Sequence, residues 1–86
     1  MRRRYSREEI TAYQLEKVVG PSEETTGYRV LVADDWLGTV ERVAFRAKAW
    51  QALNTNRTAM PHVGSGRYAA NREAAVVDLL TGLGVA

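Results

Sequence analysis

The chain has 86 residues, room for one domain and for a core that leaves only a small surplus over chain entropy. Hydrophobic residues make up 45% of it, too many for general disorder, and the absence of cysteine excludes a disulfide framework or a thiolate metal site and fits a reducing compartment. With 12 basic against 10 acidic residues the net charge is +2, which by itself selects no partner.

No apolar run reaches the roughly 18 to 20 residues that a membrane span needs, and no hydrophobic stretch follows Arg2-Arg3-Arg4 to make a signal peptide, so a cytoplasmic, non-membrane protein is the expectation. Residues 1–5 read as a basic tail, with Arg7 extending the positive tip before the acidic Glu8 and Glu9. For residues 6–19 two readings stay open. Ser6 with Glu9 three positions on is a capping box, Ala12, Leu15, Val18 and Val19 share a helical face, and Gly20-Pro21 is a stop, which favours a helix. Tyr13, Leu15 and Val19 also alternate as one face of a strand.

Residues 21–27 are polar and read as a surface loop. Residues 28–32 are β-rich, Ala33-Asp34-Asp35-Trp36 supplies a turn, and residues 37–45 return, which makes an antiparallel hairpin. Residues 49–53 add a third strand, with helix as an alternative because alanine is a good helix former. A long loop over 54–66 contains Pro61 and Gly64-Ser65-Gly66. The helix of 72–81 has Asn71 as its cap, an apolar stripe of Ala75, Val76, Leu79, Leu80 and Leu83, and Gly82 and Gly84 at its end. The expected fold is α+β: a three-stranded antiparallel sheet packed on a carboxy-terminal helix, with an amino-terminal helix or strand.

Alternation assigns Tyr28, Val30, Val32, Gly38, Val40, Trp50 and Ala52 to the face under that helix, with Val76 and Leu79 packed on Val40 and Trp50 and Gly38 making room for the indole. The opposite face then carries Arg29, Leu31, Thr39, Glu41, Val43, Gln51 and Leu53. Leu31, Val43 and Leu53 ask for a cover, either the amino-terminal helix through Leu15 and Val18 or another chain.

Trp36-Leu37-Gly38-Thr39-Val40, Lys48-Ala49-Trp50-Gln51-Ala52 and Gly66-Arg67-Tyr68-Ala69 leading into Asn71-Arg72-Glu73-Ala74-Ala75 resemble a pattern of AP2-type DNA-binding domains and of the amino-terminal arm-binding domains of phage integrases. Short actinobacterial and actinobacteriophage proteins of unknown role show a similar one. The resemblance covers the carboxy-terminal two-thirds and implies three strands on one helix, with DNA read by arginines and aromatics of the exposed sheet face. At those positions this chain has Arg29, but also Leu31, Glu41 and Leu53, with Gln51 the one base-reading amide.

Chemistry-bearing motifs are sparse. His62, the only histidine, has no carboxylate or cysteine at metal-ligand spacing and reads as a surface-loop residue. Gly64-Ser65-Gly66 lacks the residues of a phosphate loop or a nucleophile elbow, and Asp34-Asp35 falls short of a calcium site. No enzyme, cofactor, metal or small-molecule substrate is expected. Two functions remain. One is a protein-interaction module, a homodimer or a phage-type accessory protein, using Leu31, Val43 and Leu53. The other is a nucleic-acid-binding module using Arg2, Arg3, Arg4, Arg29, Arg42, Arg46, Lys48 and Arg57.

Overall fold

The computed structural model describes residues 4–22, 25–44 and 46–85. A five-stranded antiparallel sheet runs in chain order: β1 (Gln14–Val19), β2 (Thr25–Val32), β3 (Asp35–Arg42), β4 (Trp50–Asn54) and β5 (Ala59–Met60). A short helix α1 (Arg7–Thr11) precedes it, and α2 (Arg72–Gly82) follows and lies on one face against β3, β4 and β5. The α+β class is as expected, but the sheet has five strands instead of three. No helix among the described residues is long and apolar enough to cross a membrane.

Of the two added strands, β1 takes up the strand alternative within residues 6–19, and β5 comes from the segment expected as a long loop. The Ser6–Glu9 capping box forms, with Glu9 N donating to Ser6 Oγ at 3.1 Å and Ser6 N to Glu9 Oε1 at 2.8 Å, yet the helix ends at Thr11. Residues 14–19 then pair with β2, Leu15 opposite Val30 and Glu16 opposite Arg29. A helix there would have left the N–H and C=O groups along that edge of β2 unpaired by protein, and the period-2 alternation puts Leu15 on the core side. The expected long loop is also shorter. Asn54 Oδ1 accepts from the backbone N–H of Asn56 and of Thr58, both at 2.9 Å, and this turn returns the chain as β5 against β4.

The β2–β3 connection is tighter than the four residues expected. Ala33 and Asp34 alone make it, both with positive φ (50° and 69°), the mark of a type I′ turn whose twist suits a hairpin. Asp35 and Trp36 already belong to β3. Val30 pairs with Gly38 and Leu31 with Trp36, so Leu37 is the extra residue of a bulge.

The core forms between α2 and the covered face, with Val30, Val32, Val40 and Ala52 from the sheet meeting Ala69, Ala75, Val76, Leu79 and Leu80. Gly38 makes room for Leu79 and not for an indole as expected: a Cβ there would run into the Leu53 carbonyl oxygen and stand 2.7 Å from Leu79 Cδ1. Tyr5, Ile10 and Tyr13 pack on the margin of the same core, and Tyr5 Oη donates to Asp35 Oδ2 at 2.7 Å. The amino-terminal helix therefore does not cover Leu31 and Leu53. Asn71 Oδ1 accepts from Ala74 N at 2.8 Å to start α2. Gly84, at φ 74°, ends it by donating to Thr81 O while Val85 N donates to Leu80 O, a Schellman arrangement.

Candidate nucleic-acid interface

Register places Arg42 opposite Trp50 on adjacent strands, and Tyr28 opposite Val40 two residues further along β3. The three side chains share the margin of the covered face. Tyr28 and Trp50 stack with centroids 6.3 Å apart, and the Arg42 guanidinium lies 5.9 Å from the Trp50 ring centre. The loop before α2 joins them through a two-way backbone pairing, Trp50 N to Ala69 O at 2.9 Å and Ala69 N to Trp50 O at 3.1 Å. That pairing sets Tyr68 beside Trp50. Arg46 and Arg67 then lie over the Tyr68 ring at 5.6 and 6.0 Å, and Arg72, first residue of α2, over Tyr28 at 4.8 Å.

Four guanidinium groups thus rest on three rings at one end of the sheet. Each exposed contact of this kind is worth about 0.5–1 kcal/mol and orients the arginine without neutralising it. Among the described residues, no carboxylate pairs with Arg42, Arg46 or Arg67, and only Glu73 meets Arg72, at 3.4 Å on the surface. Two shallow hollows flank Trp50. One, of about 200 Å³, is lined by Gly27, Tyr28, Arg42 and Trp50. The other, of about 350 Å³, is lined by Trp50, Met60, His62, Arg67 and Tyr68.

The open face of the sheet is organised differently. Arg29 pairs with Glu16 at 3.0 Å and lies over Trp36, while Arg57 pairs with Glu41 at 3.3 Å. Both arginines are compensated. Leu31 is half-buried, Leu53 is 5% exposed, and Val43 lies one residue past β3, so the structure does not gather these three into an exposed apolar patch. The large exposed apolar group on that face is Trp36, 46% exposed, with its Nε1 donating to Gly38 O at 2.9 Å.

The arginines singled out from the sequence are therefore divided. Arg42 and Arg46 join the ring-stacked patch, Lys48 is exposed in the adjoining turn at φ 58°, and Arg29 and Arg57 belong to the open face. Arg4 is exposed ahead of α1, and Arg2 and Arg3 lie outside the described residues, as does Phe45 at the end of the expected second strand. Sequence reasoning passed over Arg67, Tyr68 and Arg72 as binding residues. The Arg-Tyr pair just before a helix whose first residue is Arg was the available signal.

His62 has a partner that its sequence neighbourhood did not reveal. Asp78 is 2% exposed, one turn before the end of α2, and its Oδ2 lies 2.8 Å from His62 Nδ1 while its Oδ1 accepts from Val63 N at 3.1 Å. With Asp78 as a carboxylate, which only accepts, Nδ1 is the donor of this contact. The pair fastens the loop bearing Arg67 and Tyr68 onto α2. Compared with known protein families, with curated proteins and with solved structures, the chain matches none of them.

Proposed function

We propose that this protein is a small, non-catalytic nucleic-acid-binding module acting through the patch of Arg42, Arg46, Arg67 and Arg72. The observation that carries this reading is the segregation of charge. With a formal net charge of only +2, the chain neutralises Arg29 and Arg57 against glutamates and leaves Arg42, Arg46 and Arg67 on aromatic rings without carboxylate partners among the described residues. Oriented, uncompensated guanidinium groups attract phosphates, and their neutralisation releases counterions. Binding to a mixture of single- and double-stranded oligonucleotides, followed by anisotropy at 50 to 200 mM salt, should weaken steeply as salt rises. Absence of binding at the lowest salt would overturn the reading.

Trp36 supports a second reading, a protein-interaction module or homodimer that uses the open face. An indole 46% exposed beside Val18, Gly27 and Thr39 offers an anchor of the kind interfaces favour. Light scattering of the wild type and of Trp36→Ser tests it: a dimer that becomes a monomer supports it, and a wild-type monomer removes self-association.

A further inference from the structure

We infer that the ligand class of the patch is single-stranded nucleic acid, with unpaired bases stacked on Tyr28, Trp50 and Tyr68. This rests on the nucleic-acid reading above and narrows it.

A duplex is read by an element that can enter a groove, a helix or a strand pair carrying donors and acceptors for base edges. Neither is on offer at the patch. The exposed residues of α2 are Glu73, Val77, Thr81 and Gly82, with one negative charge and no base-reading amide. The open sheet face, the other protruding surface, carries Glu16 and Glu41 among its arginines, and their charge opposes the approach of phosphates.

The patch has instead the two components of a single-strand site, cations for the backbone and ring faces for the bases. In the free protein the guanidinium groups occupy the ring faces at 4.8 to 6.0 Å. Base stacking on an aromatic ring outweighs an exposed cation–π contact, so an incoming strand can displace the arginines, which turn outward to its phosphates while bases take their place. Both parts of the free-state contact are reused. Trp50 lines a hollow on each side, towards Tyr28 and towards Tyr68, each on the scale of one nucleotide, and the backbone pairing of Trp50 with Ala69 fixes the spacing of the rings.

The test is anisotropy of the full chain with labelled dT12, rU12 and a 12-base-pair duplex at 50 mM salt. The expected result is tighter binding to dT12 or rU12 than to the duplex, by about ten-fold or more, since stacking is available only to unpaired bases. The ratio of dT12 to rU12 separates DNA from RNA as the preferred source. Trp50→Leu should weaken single-strand binding by about ten-fold or more while leaving the salt slope unchanged, because the phosphate contacts remain. Should that variant fail to fold, Tyr68→Leu removes a ring that is only half-buried, and the same loss is expected.

Tighter binding to the duplex would overturn this inference and leave the nucleic-acid reading standing. Binding to none of the three probes would overturn both. Single-strand binding unaffected in a folded Trp50→Leu or Tyr68→Leu would overturn the stacking geometry.

Discussion

Arg29 and Arg42 stand on neighbouring strands of one sheet, each over a tryptophan ring at almost the same distance, 5.8 and 5.9 Å. Among the described residues only Arg29 of the two has a carboxylate, Glu16, at 3.0 Å. On the open face the guanidinium is a neutralised member of a cross-strand pair, whereas at the patch it is held in place by an aromatic plane. The number of arginines near a sheet therefore says little about phosphate affinity. What each guanidinium already touches decides it, and Arg57, close in sequence to Arg42 and Arg46, falls on the other side of that division through Glu41.

The largest expected effect separates the patch from the core beneath it. Leu79 is fully buried against Val30, Val40 and Ala52, so Leu79→Ala should lower stability by about 2–5 kcal/mol, measured by denaturant unfolding. Oligonucleotide affinity per folded molecule should stay near that of the wild type. A small stability loss would mean that α2 does not cover the sheet, and the placement of Arg72 would fall with it.

His62→Ala comes next, at about 1–3 kcal/mol, because Asp78 remains buried with one donor fewer. This change sharpens the comparison within the patch itself. The His62–Asp78 contact fastens the loop that carries Arg67 and Tyr68, and the Arg42–Trp50 pair belongs to the sheet. Proteolysis should accelerate in the loop of residues 61–70 and not in the strands. Equal protection of that loop in both proteins would sink the proposed role of the pair.

How much of this was legible in the sequence follows from which contacts are local. The strands β2, β3 and β4 were visible as β-branched and aromatic runs, and α2 through Asn71, its apolar stripe and Gly84, because each signal lies within a few residues. The segment of α1 and β1 stays open between helix and strand in the sequence because the two patterns compete locally, and pairing with β2 decides between them. β5 has only two residues, too few to register as a pattern. The patch depends on Arg42 facing Trp50 in one register and on Trp50 meeting Ala69 across a long loop, and the His62–Asp78 contact spans 16 residues. Such juxtapositions are set by topology and leave little trace in residue spacing.

The two classes of arginine can be set against each other directly. Arg42→Gln and Arg46→Gln should each lower the slope of log affinity against log salt by about 0.7 for a single strand, since each removes one neutralised phosphate. Arg29→Gln and Arg57→Gln should leave that slope where it is. The Arg29–Glu16 pair is largely solvated, with side chains 52% and 57% exposed, so Arg29→Gln should also change stability by no more than about 1 kcal/mol. The four variants need only one salt series and one unfolding curve each. If Arg29→Gln reduces the slope as much as Arg42→Gln, the open face shares the phosphates, and the division between a compensated and an uncompensated surface fails.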